Sequence, residues 1–328
     1  MKTPSFWMKK NIISILMLPL SFLYSLGFSF LKYYRCSHKV SKKVICVGNI
    51  IAGGSGKTPL CLLIADILRK NSINFVFLSR GYKGENKFIK IVDLDKDRPS
   101  EVGDEPILLA MKEKTYICKN RLFAARKISN DPFIDCIVLD DGMQNNSLKK
   151  DLTIVVIDSK IKFGNKMPIP SGPLRQSIKS GLSQASIIVV IGEIDEELKK
   201  IFDKNNILKS KIFTVNVHAK NIEKYHKKNV IAFCGLAYPE KFFNLLRENN
   251  INLIKTFSFQ DHHSYNDKEL QYLCDLSFKN GATLLTTKKD WVKFPLNFKE
   301  KINFLDISLF PKNQSLFEQE IVKIFKNN

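Results

Sequence analysis

The sequence predicts an α/β protein with a doubly wound parallel sheet at its core, a second and smaller α/β lobe, and an N-terminal membrane-associated helix. Three observations support this prediction. Apolar runs of strand length recur between residues 44 and 217, separated by helical or loop stretches. A second series of strands and helices follows a lysine-rich stretch. An uncharged, apolar segment stands near the start of the chain.

Composition limits the classes of partner. The chain has 328 residues, 44% hydrophobic and 26% charged, which is typical of folded proteins. Its formal net charge of +20 favours an anionic partner, such as a membrane surface or a phosphorylated substrate. No RNA-binding motif or helix-turn-helix pattern is present, so we expect no nucleic acid. The seven scattered cysteines contain no C-x-x-C pair, which argues against a disulfide framework and a zinc site.

The N-terminal segment is the predicted membrane contact. Residues 11–31 carry no charged side chain, lie after Lys9 and Lys10, and precede a further basic stretch. A proline, a glycine and several polar residues dilute the segment, which favours an interfacial anchor over a spanning helix. The flanking lysines would then meet anionic headgroups on the cytoplasmic side. A helix packed on the protein's own core is the alternative. We assign residues 1–36 to this helix.

The apolar runs define the expected domains. A lysine-rich boundary near residues 221–228 divides them, so we expect a core domain over residues 37–225 and a C-terminal α/β lobe over residues 226–328. The strand-like runs of the core domain are residues 44–51, 74–80, 136–141, 152–158, 186–192 and 211–217.

A glycine loop follows the first of these runs. The segment "AGGSGKT" stands between an apolar strand and a helical stretch, which is the context of a phosphate-binding loop. Its glycines let backbone N–H groups face a phosphate, Lys57 can reach the β and γ phosphates, and Thr58 can hold Mg²⁺. The strict pattern would need glycine at Ile51. The predicted ATP-binding residues are Ala52, Gly53, Gly54, Ser55, Gly56, Lys57 and Thr58. The core is therefore expected to be P-loop NTPase-like.

An acidic pair ends another predicted strand. Asp140 and Asp141 close the segment "IDCIVLDD", and the carboxyl ends of parallel strands are where ligands bind in open α/β sheets. The pair could hold Mg²⁺ directly or through water, as phosphoryl transfer requires. A solvated pair that caps the next turn is the alternative.

Further acids, imidazoles and a guanidinium stand in loops. "EVGDEP" contains Asp104 and Glu105, and "FQDHHSY" contains His262 and His263 after an aspartate. An acid and an imidazole brought together could accept a proton from a hydroxyl nucleophile. An exposed histidine pair at a helix start is equally compatible with the spacing. Arg175, in "PSGPLRQ", suits a phosphate or carboxylate, or else an ordinary surface loop.

The motifs occur in an order that resembles the tetraacyldisaccharide 4'-kinase family of lipid A biosynthesis. The resemblance extends from the first helix to about Phe294. Each motif is weak alone, but their order over nearly the whole chain is specific. The motifs are "VGNIIAGGSGKTP", "LSRGYKGE", "EVGDEP", "LDDGMQ", "PSGPLRQ", "AFCGLAYPEKFF", "FQDHHSY" and "LLTTKKDWVKF".

The resemblance implies transfer of the ATP γ-phosphate to the 4'-hydroxyl of tetraacyldisaccharide 1-phosphate, giving lipid IVA. It implies ATP and Mg²⁺ as cofactors and two α/β/α lobes with the nucleotide between them. It also implies a location at the cytoplasmic face of the bacterial inner membrane, peripheral or N-terminally anchored. Lipid, ATP and membrane surface are the expected partners, without a protein partner.

The resemblance also implies residue roles at matching positions. It assigns catalysis to Asp104, His262, Asp140 and Asp141, metal binding to Thr58, Glu105 and Asp141, and substrate contacts to Arg80 and Arg175. His262 is preferred over His263 because the family's histidine directly follows the aspartate. Asn145 stands where the family usually has histidine, and Met143 where an aromatic residue is common, so a role for the side chain at 145 is in doubt.

Two other classes of protein remain as alternatives. Regulatory ATPases of the partitioning or septum-placement kind share "GG-x-GKT", but they carry a lysine where Ala52 stands here. A nucleotide-gated binding module without catalysis would leave the Asp104 and His262 segments as surface loops.

Overall fold

Two β-sheets organise the chain, of which the computed structural model describes residues 4–34, 36–81 and 88–326. The described strands are β1 Lys43–Gly48, β2 Phe75–Ser79, β3 Lys90–Ile91, β4 Thr115–Ile117, β5 Cys136–Asp140, β6 Leu152–Asp158, β7 Ile187–Ile191, β8 Ile212–Ala219, β9 Asn229–Cys234, β10 Asn252–Ser258, β11 Thr283–Thr287, β12 Asn303–Leu305 and β13 Ile307–Pro311. Residues 82–85 of the motif "LSRGYKGE" lie outside the described residues.

Helices alternate with these strands along most of the chain, which confirms the predicted α/β class. The described α-helices are α1 Ile12–Leu16, α2 Leu18–Tyr34, α3 Lys57–Lys70, α4 Pro99–Val102, α5 Asp104–Ala110, α6 Arg121–Ile128, α7 Ile178–Leu182, α8 Glu196–Lys204, α9 Glu240–Glu248, α10 Asp267–Lys279, α11 Lys288–Trp291, α12 Leu296–Lys299 and α13 Gln314–Lys326.

The large sheet has nine described strands in the order β13-β8-β7-β6-β1-β5-β2-β4-β3. The edge strands β13 and β3 pair antiparallel with their neighbours, and the strands between them are parallel. β1 lies between β5 and β6, and Val47 of β1 is in register with Asp140 of β5. The glycine loop after β1 and the acidic pair after β5 therefore start from adjacent strand ends.

Both faces of the large sheet are covered, which explains its continuous apolar strands. In β1, Val44 and Cys46 join the apolar cluster on one face, while Ile45 and Val47 join the cluster on the other. Helix α3 packs on the second face, because its apolar residues recur at helical spacing. The glycine loop is thereby fixed between a buried strand and a buried helix.

The second lobe has a four-stranded parallel sheet in the order β10-β9-β11-β12. The carboxyl end of the chain differs from the predicted lobe over residues 226–328. β13 pairs antiparallel with β8 of the large sheet, and α13 buries Phe317 and Ile321 in the core beneath that sheet. The periodicity of the sequence indicates an apolar strand and an apolar helix. It does not indicate which of the two sheets they join.

The N-terminal segment forms a 3₁₀ turn over Ser5–Trp7 followed by α1 and α2. Trp7 Nε1 donates a hydrogen bond to the carbonyl of Pro170 at 2.9 Å, and Ser21 Oγ donates to the carbonyl of Pro168 at 2.9 Å. One side of the segment thus contacts the proline-glycine loop. The same segment carries the exposed apolar side chains Ile12, Ile13, Ile15, Leu16, Leu18, Leu20, Phe22, Leu23, Leu26 and Phe30.

Membrane association of this segment stays a prediction. Among the residues that the structure describes, no helix combines the length and apolar character needed to span a bilayer.

Candidate active site

The predicted ATP-binding residues form the turn between β1 and α3. Gly53 and Gly56 have φ angles of +105° and +84°, in the left-handed region that favours glycine. A Cβ at Gly56 would lie 2.3 Å from Cδ1 of Ile191 at the end of β7, so a side chain at position 56 would force Ile191 to move. α3 begins at Lys57, with Thr58 buried in its first turn. The loop therefore ends at a helix N-terminus, where backbone N–H groups favour an anion.

The departure from the strict motif at Ile51 has a structural cause. Ile51 is buried in the core, and it forms an isolated antiparallel bridge with Leu174 of the proline-glycine loop. The N–H of the next residue, Ala52, donates a hydrogen bond to the carbonyl of Pro173 at 2.7 Å. The start of the glycine loop is thus held by another loop, and an apolar side chain anchors it.

Asp140 ends β5 as a buried carboxyl group beside the glycine loop. Its Oδ1 accepts a weak hydrogen bond from Sγ of Cys61 at 3.8 Å. Within the described residues its Oδ2 is buried and lacks a hydrogen-bond partner. Burial, reinforced by the charge of Glu105, raises the pKa of Asp140 to about 7, although Lys57 opposes this shift. A buried oxygen with a free lone pair is therefore available to a cation.

Asp141 is held by cations. Its Oδ1 and Oδ2 accept hydrogen bonds from Nη1 of Arg175 at 2.8 and 2.9 Å, and Nζ of Lys57 lies 3.7 Å from Oδ2. Burial alone would raise the pKa of Asp141, but Lys57 and Arg175 outweigh it and lower the pKa to about 2. Asp141 therefore stays ionised and links the phosphate-loop lysine to Arg175.

A second guanidinium, which the sequence reasoning missed, lies nearby. Arg121 begins α6, is almost fully buried, and donates from Nη2 to the carbonyl of Asp141 at 3.3 Å. Burial lowers its pKa and the charge of Arg80 lowers it further, although Asp141 opposes both. Arg80 itself is exposed just after β2. The guanidinium groups of Arg80, Arg121 and Arg175 thus lie around the carboxyl end of β5. They come from separate segments of the chain, which only the fold brings together.

Asp104 and His262 meet across the two lobes. Asp104 is buried in the first turn of α5 in the core domain, and Nδ1 of His262 lies 2.9 and 3.0 Å from its two carboxylate oxygens. The hydrogen bond to Asp104 raises the pKa of His262, while burial opposes the shift. Burial alone would raise the pKa of Asp104, but Lys289 and His262 outweigh it and hold the pKa well below its usual range.

The adjacent histidine has different contacts. Nε2 of His263 lies 3.1 Å from Oε2 of Glu269, and its ring stacks on Phe259 with 4.9 Å between centroids. His262 therefore belongs to the interlobe site, whereas His263 is half-buried within the second lobe against Phe259 and Glu269. Asn145 also has a local role, because its Oδ1 accepts a hydrogen bond from Ser147 at 2.9 Å.

Lys289 is the second residue that the sequence reasoning left without a role. Its Nζ lies 3.3 Å from Nε2 of His262 and 3.7, 3.6 and 3.5 Å from carboxylate oxygens of Asp104, Glu105 and Asp261. Burial would lower its pKa, but those three carboxylates raise it. One signal could have found it: α11 starts directly after β11, at the carboxyl end of a parallel strand.

The second lobe also contacts the glycine loop. Nζ of Lys241 donates a hydrogen bond to the carbonyl of Gly54 at 3.0 Å and lies 2.7 Å from Oδ2 of Asp158 at the end of β6. A Cβ at Gly53 would lie 3.3 Å from the ring of Tyr238. The site therefore lies between the lobes, bordered by the glycine loop and the Asp104–His262 pair.

The oxygen atoms at the site fit a magnesium ion better than a transition metal. In the described ranges, no three His, Cys, Asp or Glu side chains converge closely enough to hold a metal ion. Mg²⁺ needs fewer protein ligands, because it keeps waters and binds one or two carboxylates together with substrate phosphates. The buried, unpartnered Oδ2 of Asp140 and the hydroxyl of Thr58 are oxygen ligands of this kind.

Comparison with known proteins gives consistent matches. The sequence model of the tetraacyldisaccharide-1-P 4'-kinase family matches residues 13–326. The chain is 37% identical over 328 residues to the tetraacyldisaccharide 4'-kinase of Rickettsia typhi, covering 98% of each chain. It is 36% identical to that of Rickettsia canadensis, covering 98% of this chain and 96% of the relative. A crystal structure of LpxK from Aquifex aeolicus in complex with ATP matches with a TM-score of 0.74 and 25% identity, covering 96% of this chain and 100% of that one.

Proposed function

Because the chain belongs to the tetraacyldisaccharide-1-P 4'-kinase family, we propose that its interlobe site performs the family reaction with Asp104 as the base. The chain is an ATP-dependent phosphotransferase that phosphorylates the 4'-hydroxyl of tetraacyldisaccharide 1-phosphate to give lipid IVA. The observation that carries the assignment of Asp104 is its hydrogen bond with His262, formed between the two lobes. This contact between an acid and an imidazole supports the proposed pair.

Asp104 has the properties of a general base in this reaction. It is ionised, because its pKa lies well below the usual range, and it is largely protected from water. The two oxygens of a carboxylate have several lone pairs. Asp104 can therefore accept a hydrogen bond from His262 and also take the proton of the 4'-hydroxyl. As the hydroxyl oxygen attacks the γ-phosphorus, its proton passes to Asp104, the bond between that phosphorus and the β–γ bridging oxygen breaks, and ADP leaves. His262 orients the carboxylate and stabilises its charge.

The glycine loop and the acidic pair bind and orient ATP. Backbone N–H groups of the loop and the N-terminus of α3 face the phosphates, and Lys57 contacts the β and γ phosphates. Mg²⁺ held by Thr58, Glu105 and Asp140 would neutralise phosphate charge. The free Oδ2 of Asp140 favours this residue over Asp141 as a metal ligand, because Arg175 already contacts both oxygens of Asp141. Asp141 then positions Lys57 and Arg175.

The lipid substrate would reach the same edge of the sheet. Arg175 and Arg80 are placed to contact its sugar or its 1-phosphate, since guanidinium groups match phosphate oxygens. The exposed apolar surface of α1 and α2, with the nearby lysines, supports peripheral attachment to the cytoplasmic face of the inner membrane. Because these helices contact the loop that carries Arg175, a membrane-bound lipid and the site would lie on connected elements.

The test is a transfer assay with γ-labelled ATP, Mg²⁺ and detergent-dispersed tetraacyldisaccharide 1-phosphate, with the labelled position located by mass spectrometry. We expect 4'-labelled lipid from the parent, and a loss of at least about a hundredfold in kcat for Asp104→Ala, the scale of a lost general base. Lys57→Ala should lose activity through ATP binding. His262→Asn should lose kcat, whereas His263→Asn should stay within about threefold of the parent because its ring contacts Glu269 and Phe259.

Two outcomes would contradict the proposal. Hydrolysis of ATP without labelled lipid would favour the regulatory ATPase class. Equal losses in the two histidine variants would show that the Asp104–His262 hydrogen bond is not what the reaction needs.

A further inference from the structure

One lysine is surrounded by the groups of the Asp104–His262 pair. Lys289 is mostly buried, and its ammonium nitrogen lies within 3.7 Å of four side chains, three of them carboxylates. Two of these carboxylates, Asp104 and Glu105, belong to α5 of the core domain. Asp261 and His262 belong to the second lobe, as does Lys289 itself. The lysine therefore joins the two lobes at the position of the predicted base.

The chemistry of an ammonium group restricts the state of His262. An ammonium nitrogen donates hydrogen bonds and accepts none. As a hydrogen bond, the 3.3 Å contact between Nζ of Lys289 and Nε2 of His262 makes Nε2 the acceptor, which then carries no proton. The neutral ring then has its proton on Nδ1, which lies 2.9 Å from Asp104 Oδ1. Asp261, 3.8 Å from Nε2, is too far to reverse this arrangement by a direct hydrogen bond.

From this geometry, and resting on the proposed function, we infer that Lys289 is a positioning residue that fixes the Nδ1–H tautomer of His262 and so orients the carboxylate of Asp104 toward the substrate hydroxyl. Its charge has a second effect. Without the ammonium group, the carboxylates of Asp104, Glu105 and Asp261 would lose the cation that lies within 3.7 Å of all three, and like charges repel. Lys289 therefore stabilises the lobe arrangement in which the pair forms.

The chain contains a matched control for this inference. Lys288 precedes Lys289 on the same short helix, but its Nζ lies 3.4 Å from Oδ1 of Asp306 and contacts none of the four groups. Lys288→Met removes the same charge from the same helix. Lys289→Arg retains the charge and the donors.

The first experiment measures kcat and KM for both substrates at one pH. Lys289→Met should lose about 10- to 100-fold in kcat, less than removal of the base itself, with both KM values within about twofold of the parent. Lys289→Arg should recover most of the loss, and Lys288→Met should resemble the parent. A kcat for Lys289→Met within about threefold of the parent would overturn the inference, as would equal losses in the two Met variants.

The second experiment does not depend on activity. Long-range ¹H–¹⁵N spectra of protein with ¹⁵N-labelled histidine report which ring nitrogen carries the proton, and His262→Asn identifies the signals of His262. The parent should show an unprotonated Nε2, whereas in Lys289→Met Asp104 still accepts from Nδ1 and Nε2 should gain a proton. A proton on Nε2 in the parent would overturn the inference. If the parent makes no 4'-phosphorylated lipid, the proposed function fails instead, and the spectra still decide the tautomer.

Discussion

At the residue scale, the chemistry of the site comes from groups whose charges depend on their neighbours. Asp140 and Asp141 are adjacent in sequence, yet burial raises the pKa of the first and cations lower that of the second. The sequence predicted both as acidic site residues. It could not predict the difference between their pKa values, because that difference depends on the contacts of Asp141 with Arg175 and Lys57, which stand in other segments of the chain.

The raised pKa of Asp140 predicts a pH-dependent stability. The unfolded carboxyl titrates near 3.8 and the folded one near 7, so the folded state binds the extra proton between these values. The contribution of Asp140 to the free energy of unfolding is therefore fully present at low pH. It falls as the pH rises from about 4 to 7, by at most about 1.4 kcal/mol per pH unit. Urea unfolding in Mg²⁺-free buffer should show this slope for the parent and a smaller one for Asp140→Asn. Equal slopes would contradict the prediction.

At the element scale, the glycine loop shows how far a motif determines local structure. A strand, glycines and a helix that begins at Lys57 were all predictable, because each follows from short-range backbone preferences. The bridge between Ile51 and Leu174 was not, because it joins segments far apart in the chain. Lys289 is a similar case. The sequence indicates only that it follows a strand, whereas its contacts with Asp104 and Glu105 join segments far apart in the chain.

Gly56 provides a test at this scale. Gly56→Ala places a methyl group against Ile191 and forces a left-handed φ on alanine, so we expect a loss of about 1–3 kcal/mol in the free energy of unfolding. The affinity for a fluorescent ATP analogue should fall with it. Gly54→Ala is the matched variant, because an added Cβ there meets no atom within 4 Å and should cost much less stability. Similar losses of stability in both variants would contradict this account.

At the scale of the whole molecule, the chain passes from the large sheet to the second lobe and back. β13 and α13 return to the core domain, so the second lobe is an excursion whose two ends lie on one sheet. Two chain crossings restrict how the second lobe can move relative to the core. This suits a site whose paired groups, Asp104 and His262, come from different lobes.

Phe317 tests whether α13 belongs to the core. Its side chain is fully buried, and its ring packs against Phe213 with 5.2 Å between centroids. Phe317→Ala should therefore lower the free energy of unfolding by about 3–5 kcal/mol. Leu316→Ala, at an exposed neighbour on the same helix, should change it by about 0.5 kcal/mol or less. Denaturant unfolding of both variants measures these changes. A change of about 0.5 kcal/mol or less for Phe317→Ala would show that α13 is not part of the cooperative core.

The sequence by itself determined the α/β class, the strand, glycine loop and helix of the phosphate-binding motif and, through the order of its motifs, the kinase family. These are properties of local patterns, since periodicity and short motifs depend on neighbours along the chain. The motif already favoured His262 over His263, but only the tertiary structure decided that His262 contacts Asp104 across the lobes, that Lys289 and Arg121 lie beside the candidate site, and that α13 packs on the large sheet. These depend on which strand ends become adjacent and which surfaces are buried, and such contacts join residues too distant in the chain for a local pattern to record.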